Sequence, residues 1–334
     1  MEYRVLGRTG LRVSALGFGC GNIGGLMIRG APAERERAVA RALELGVNYF
    51  DTAPLYGDGQ SEQHLGQALR AVKADAYVGT KVRLGPGPVA DMPAAIVRSL
   101  DDSLRRLGMA RVDLLQLHNR VTLGGGGTAV AARDVLDTIL PTLRRLVEQG
   151  KARCCGITAL GDTAALLDVL DDDAVHTAQV CHNLLNPTAA HATPPGFPAH
   201  DFGGLLARCR ERRTGAIVIR VLAGGALSGG DARHPIASPP PEPIASGPEY
   251  AVDVARARIL GTLVKEGLAD SLVEAALRFA LGSDAVSTVL LGYSSLDHLE
   301  YAAACVARGP LPEAAAARLP ALWQEIIAVA AASR

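Results

Sequence analysis

The sequence predicts an α/β chain closed into a (β/α)₈ TIM barrel, with an N-terminal β-hairpin and long βα loops. Three observations predict it. Short apolar runs rich in β-branched residues recur eight times along the 334 residues, amphipathic stretches separate them, and three of the runs end in ionisable side chains. A parallel barrel accommodates all three, because its strands are buried on both sides and their C-terminal ends open onto one face. A chain of this length exceeds the usual domain size but suits one barrel, so residues 1–334 are expected to form a single domain.

The elements follow in order. A hairpin turns at Arg8-Thr9-Gly10, and the barrel strands are then expected at Ala15 to Cys20, Val47 to Asp51, Ala76 to Val82 and Val112 to His118. Four more are expected at Arg153 to Thr158, Thr177 to Asn183, Ala216 to Leu222 and Ser287 to Gly292. Ala33 to Leu45 and Ala94 to Leu107 have the spacing of amphipathic helices, and Gly108 is placed to cap the second. Three segments break the rhythm. Thr122 to Ala132, with four glycines at Gly124 to Gly127, reads as a mobile loop at the mouth of the barrel, with a phosphate cradle as the alternative. Gly229 to Pro248 carries six prolines and is too long and too Pro-rich for regular structure. Pro310 to Arg334 reads as a final helix whose Trp323 packs on the barrel or lines its pocket.

The strand ends at Phe50-Asp51-Thr52-Ala53-Pro54-Leu55-Tyr56-Gly57, Gly79-Thr80-Lys81 and Gln116-Leu117-His118 supply a carboxylate, a phenol, an ammonium and an imidazole. Side by side and parallel, the strands would gather Asp51, Tyr56, Lys81 and His118 around one carbonyl or alcohol. Such a set moves protons on oxygen. A free tyrosine titrates at about 10, and a neighbouring ammonium such as Lys81 is expected to lower that value. Asp51 would keep the ammonium charged, and His118 would orient the substrate oxygen. No activated nucleophile accompanies them, so covalent catalysis is not indicated.

Composition removes other classes. The 34 basic and 34 acidic residues cancel and form no block, which argues against nucleic acid or an anionic membrane as partner. The alanine-rich stretches are too short to span a bilayer and the N-terminus lacks a signal-peptide pattern, so a cytoplasmic setting is the default expectation. The six cysteines show neither C-x-x-C nor Cys/His ligand spacing and read as small buried hydrophobes, with no metal site expected. Gly19-Cys20-Gly21-Asn22-Ile23-Gly24 imitates a dinucleotide-binding fingerprint. The helix pattern starts too late, near Pro32, and Asp51 stands too far on for that reading. His182, by Gln179 on the sixth strand, either reaches the pocket or packs outward.

Several ordered motifs together resemble the aldo-keto reductases. They are Tyr3 to Phe18-Gly19, Asn48-Tyr49-Phe50-Asp51-Thr52-Ala53 with Tyr56-Gly57, Gly79-Thr80-Lys81, Gly150-Lys151, Gly156-Ile157-Thr158, and Gln179. Bacterial aldose dehydrogenases and channel β-subunit-like reductases are the similar branches, through the loop style and Leu290-Leu291-Gly292. The resemblance implies that Tyr56 is a general acid/base tuned by Lys81 and Asp51. It also implies that His118 orients the carbonyl, that hydride is exchanged with NAD or NADP, and that the substrate is a small carbonyl or alcohol, with a sugar or hydroxy-aldehyde preferred. A cofactor-binding regulatory barrel, or an enzyme using bound NAD(P) in an internal oxidation-reduction cycle, are the other readings.

The resemblance also implies cofactor positions. Thr158 and Gln179 match the residues that hold the nicotinamide carboxamide, while Ala159 replaces an expected Asn. Ile219-Arg220-Val221-Leu222-Ala223-Gly224 replaces the usual aromatic residue and Ser-Pro-Leu. Arg220 is expected to meet phosphate or an internal carboxylate, with Leu222, Gly224 and Gly21 alongside. Gly292, Ser294 and His298 occupy the positions that grip a 2′-phosphate in NADP-binding members. Two expected cations are missing, which favours NAD.

Overall fold

The computed structural model describes residues 1–86, 91–230 and 232–332. Every predicted strand forms within a few residues of its expected bounds. The hairpin strands β1 (Tyr3–Val5) and β2 (Arg12–Ser14) pair antiparallel across a 3₁₀ turn at Gly7–Thr9, closed by Gly10 in the left-handed region at φ 74°. The barrel strands are β3 (Leu16–Gly19), β4 (Tyr49–Asp51), β5 (Tyr77–Val82) and β6 (Val112–Leu117). After the short strands β7 (Val121–Thr122) and β8 (Val130–Ala131) come β9 (Ala152–Ala159), β10 (Thr177–Cys181), β11 (Gly215–Ile219) and β12 (Val286–Gly292). The parallel ring runs β3-β4-β5-β6-β9-β10-β11-β12 and closes where β12 pairs β3, from Val289 on Leu16 to Gly292 on Gly19.

The hairpin seals one end. Leu6, Leu11 and Val13 join Tyr49, Leu114, Cys154, Ile217 and Leu290 in a cluster separate from the layer between strands and helices. Gly7 presses so closely on the Gly215 backbone that no side chain fits there. This plug lies at the N-terminal ends of the strands and leaves the C-terminal ends as the open face. The strand β4 is shorter than expected because Asn48 belongs to the hairpin: its Oδ1 accepts from Ser14 N at 2.7 Å and its Nδ2 donates to Arg12 O at 2.9 Å.

The helices obey their end signals. Met92–Leu107 starts where the Asp91 carboxylate accepts from Ala94 N at 2.9 Å and stops at Gly108, with φ 65°. Leu296–Ala307 begins at Ser295, whose hydroxyl accepts from His298 N. Within Gln60–Ala71, Glu62 is wholly buried, accepting from Thr80 Oγ1 at 2.5 Å and pairing with Arg106 at 2.6 Å, so it ties that helix to β5 and to Met92–Leu107. Removing one partner of a buried pair leaves the other unsatisfied, so Glu62→Ala should cost about 3 kcal/mol of stability. Urea unfolding with an unchanged midpoint would contradict that role.

One of the irregular segments differs from expectation, and the final helix agrees with it. The Gly124–Gly127 segment is tied down: Gly125 N donates to Thr122 Oγ1, Gly126 and Ala129 exchange backbone hydrogen bonds, and Asn119 Nδ2 donates to Thr128 O at 2.8 Å. Its glycines supply positive φ at three positions, Gly125 to Gly127, and Thr128 rather than any of them reaches the central cavity, which removes the phosphate-cradle reading. Trp323 lies on the final helix, Glu313–Ala332, and packs. It is 3% exposed, donates from Nε1 to Leu184 O at 3.1 Å, and meets Phe279 and His191. The six cysteines are buried free thiols. Among the described residues no helix is long and apolar enough to cross a membrane.

Candidate active site

The four ionisable residues meet at the C-terminal face as the strand order requires. Asp51 ends β4, Lys81 lies near the end of β5, His118 follows β6, and Tyr56 sits on the loop after β4. That loop is fixed by Tyr56 N donating to Ala53 O and by Gly57 N donating to Asn22 Oδ1 at 3.0 Å. The Lys81 ammonium forms an ion pair with Asp51 Oδ1, donates to Thr52 O at 2.9 Å, and reaches Tyr56 Oη at 3.3 Å. It is 1% exposed and lies behind the other three, which line a cavity of about 990 Å³. The rings of Tyr56 and His118 stand edge to face at 5.8 Å.

Two supporting residues escaped the sequence reading in this role. Tyr49 Oη donates to Asp51 Oδ2 at 3.1 Å, and Gln179 Nε2 donates to the same oxygen at 2.7 Å. Gly79 makes the first contact possible, since a β-carbon there would lie 2.7 Å from the Tyr49 hydroxyl. Alternation in β4 was the available signal: Tyr49 and Asp51 are two residues apart on a strand and so share its inward face. Thr158 in turn contacts Gln179 Oε1 at 3.5 Å, so the two residues matched to the carboxamide are linked to each other and to Asp51.

Burial sets the protonation states. It raises the Tyr56 phenol above its ordinary value, and the opposing pull of Lys81 is the smaller effect. The lowering expected from sequence is therefore present but outweighed. Burial pulls Lys81 down, yet Asp51 and Tyr56 together carry it above the usual lysine value. His118 is pushed down to about 3 by burial, with the charges of Lys81 and Arg83 adding, so it is neutral at physiological pH. Its Nδ1 is buried without a partner. The cluster thus offers a protonated phenol against an ammonium, and a neutral imidazole beside it: groups able to give a proton to one oxygen and hold it in place.

From this cluster the cavity extends past Gly21, Thr158 and Gln179 to Arg220, Leu222 and Gly224. Gly292 at the end of β12, Ser294 just before the helix Leu296–Ala307 and His298 in its first turn also line it, and helix N-termini favour phosphate. Every expected cofactor position therefore faces one space, at the upper end of the roughly 300–1,000 Å³ typical of small-molecule sites. The Gly19-to-Gly24 stretch lines its rim from a barrel loop, not from a dinucleotide-binding turn, and Gly24 is packed against the backbone of Gly292 and Tyr293 too tightly for a side chain.

Other expectations shift in detail. No carboxylate pairs with Arg220 among the described residues; its Nη2 donates to Glu242 O at 2.6 Å and its Nε is buried without a partner. The internal salt bridge is thus absent from the described residues, and the guanidinium keeps donors for a ligand. The Ser294 hydroxyl is committed to Gly24 O at 2.7 Å. His182 packs outward, buried between Phe279 and His191, both nitrogens unpaired. The proline-rich segment closes over the cavity: Ser238 N donates to Ile23 O, and Ala232, Pro241 and Ile244 line the wall.

This barrel is that of a known family. The aldo/keto reductase family model matches residues 15–324. The chain belongs to the aldo/keto reductase family. L-Galactose dehydrogenase from Arabidopsis thaliana is 31% identical over 315 residues, covering 92% of this chain and 88% of that one. L-Glyceraldehyde 3-phosphate reductase from Escherichia coli K12 is 27% identical over 326 residues, covering 90% and 86%. The holo form of aldo-keto reductase AKR11C1 from Bacillus halodurans superposes with a TM-score of 0.70 at 26% identity, over 98% of this chain and 96% of that one. The chain is therefore an NAD(P)-dependent oxidoreductase of the sugar and aldehyde type, as its family is, with a small molecule as substrate. The aldo-keto reductase frame accounts for the depth of the cavity, which must admit a nucleotide as well as a substrate.

Proposed function

We propose that this aldo-keto reductase moves hydride between a nicotinamide nucleotide and the carbonyl carbon of a small sugar or hydroxy-aldehyde, with Tyr56 exchanging the proton on oxygen. The observation that carries it is the phenol of Tyr56, 3.3 Å from the Lys81 ammonium and edge-on to neutral His118 at the cavity wall. The nicotinamide, when bound, supplies or accepts the hydride. Lys81 stabilises the phenolate as the proton leaves, and Asp51, held by Tyr49 and Gln179, keeps Lys81 charged and fixed. Neutral His118 hydrogen-bonds the substrate oxygen and orients it. L-Galactose and L-glyceraldehyde 3-phosphate, the substrates named for two relatives, share an aldehyde-level carbon next to a hydroxyl-bearing carbon, which supports this substrate class.

The pH dependence follows from the sign of the shifts. Reduction needs the phenol protonated, and burial raises its pKa above the ordinary tyrosine value, so the rate of reduction should hold through neutral pH and fall only in alkali. Oxidation needs the phenolate and should rise with pH over the same range. His118 titrates near 3 and adds no acid limb above about pH 4. Stoichiometric oxidation of a reduced nucleotide by glyceraldehyde or a neutral aldose checks the reading. Tight nucleotide binding with no turnover on any aldehyde would favour the regulatory barrel.

For the nucleotide, NAD fits better than NADP. Burial, and then the neighbouring His234, depress the pKa of His298, so little positive charge faces a 2′-phosphate. Gly292 brings none, and Ser294 is committed elsewhere. A β-carbon on Gly292 would stand 3.3 Å from Gly24 N, so a lysine there would crowd the loop, and His298→Arg is the cleaner probe. It should shift preference toward NADP by roughly tenfold or more, the scale of one charge-assisted hydrogen bond. A wild type that already prefers NADP strongly, with no change in His298→Arg, would place the phosphate on another group.

A further inference from the structure

Among the described residues four arginines line the cavity, and the ring of strands divides them into two pairs. Arg83 follows β5 and Arg120 follows β6, whereas Arg220 and Arg233 follow β11. In the ring, β5 and β11 stand four places apart, as do β6 and β12. The first pair therefore faces, across the barrel mouth, the wall formed by the second pair and His298.

The pairs are also bonded differently. Arg220 donates to Glu242 O, and Arg233 spans the carbonyls of Gly224 and Ser238 and the Tyr250 hydroxyl. Arg83 and Arg120 are exposed, and neither guanidinium has a hydrogen bond or ion pair among the described residues. Of the two carboxylates on the described lining, Asp51 is engaged by Lys81, Tyr49 and Gln179, and no hydrogen bond or ion pair joins Glu242 to Arg83 or Arg120 among the described residues.

The pair brackets His118. Arg120 lies two residues after it, and Arg83 follows Val82, which pairs with Leu117 in the β5·β6 ladder and whose carbonyl accepts from His118 N at 2.8 Å. The Arg83 charge depresses protonation of the His118 imidazole, and the Arg120 charge acts on Arg220 across the mouth, neither offset by an ion pair among the described residues. A bound anion reverses both effects, and the guanidinium fork matches a carboxylate or a phosphate in two-point contact.

We propose that the substrate carries an anionic group, a carboxylate or a phosphate, and that Arg83 and Arg120 bind it while the carbonyl lies against Tyr56 and His118. The proposal deepens the reading of the cluster as the reduction site and rests on it. It separates the two charged ligands by place: nucleotide phosphates belong to the β11 and β12 wall, the substrate anion to the β5 and β6 wall.

The test pairs substrates that differ in one charged group. Glyceraldehyde 3-phosphate against glyceraldehyde probes phosphate, and succinic semialdehyde against butanal probes carboxylate, each with saturating NADH. Wild-type kcat/KM should favour the anionic member of at least one pair by roughly tenfold to a hundredfold, and the favoured pair identifies the group. Arg83→Ala with Arg120→Ala should collapse that ratio toward one through KM, added salt should weaken it in the wild type, and Arg83→Lys should restore part of it. Relative use of NAD and NADP should not change. Equal use of charged and neutral members by the wild type, or a ratio that survives the double variant, would overturn the anion site and leave the reductase reading standing. Proportional loss of both members of a pair would also overturn it, since the arginines would then support the fold rather than the anion. If no aldehyde is reduced, the reductase reading falls, and calorimetric titration of nucleotide-saturated protein with glycerol 3-phosphate and 4-hydroxybutyrate decides the anion site alone. Binding lost in the double variant would uphold the site, and absence of binding, or binding unchanged in the variant, would overturn it.

Discussion

Tyr56→Phe should lower carbonyl reduction by a hundredfold or more while leaving nucleotide affinity near the wild-type value. The change removes one oxygen and keeps the ring, which packs edge to face on His118 and under which Gly21 leaves van der Waals space, a β-carbon there lying 3.5 Å away. What is lost is the proton donor, worth roughly 10²–10⁴ in rate for positioned acid/base groups. The Lys81 ammonium loses a contact at 3.3 Å but keeps Asp51 and Thr52 O, so the site should not collapse. Nucleotide affinity by fluorescence titration and single-turnover rates separate the two effects. Turnover near wild type would remove Tyr56 from the mechanism.

Lys81→Met should be as severe in rate and should also cost stability. It leaves the Asp51 carboxylate buried without its cation, and such breakage costs about 3–5 kcal/mol, here moderated by the donors from Tyr49 and Gln179. Because Lys81 is the group that pulls the phenol down, its loss should move the alkaline limb of reduction further up in pH. Asp51→Asn acts through the same ammonium, so the double variant should lose less in log rate than the two singles summed. Strict additivity would mean that the two residues act separately, contrary to their direct ion pair.

The legible part of this protein lies on its strands. The quartet could be placed because each member ends or follows a run whose burial is evident from β-branched residues, and a parallel barrel gives such ends one address. What the sequence did not show is where competition among groups decides. The phenol of Tyr56 was expected to fall under the influence of Lys81, but once the ring is enclosed the loss of water around it outweighs the pull of the ammonium. Gln179 was assigned to the nicotinamide from its matched position, and its amide is found on Asp51, a contact between residues 128 positions apart. The Gly124–Gly127 run looked loose from composition, while its restraints come from Asn119 and Thr122 at its base. Arg83 and Arg120 carried no signal at all, because a cation without an ion pair among the described residues is recognised only once the fold has placed its neighbours.

The most direct measurement of the central claim follows one isotope. Wild-type protein with reduced nicotinamide carrying deuterium at both C4 positions and glyceraldehyde should yield glycerol carrying one deuterium at the former carbonyl carbon, in step with loss of the reduced nucleotide's absorbance. Repeating it with Tyr56→Phe should slow label transfer to the same extent as turnover. Product without deuterium, or deuterium washed out of the nucleotide while its reduced form persists, would contradict direct hydride transfer to a carbonyl substrate.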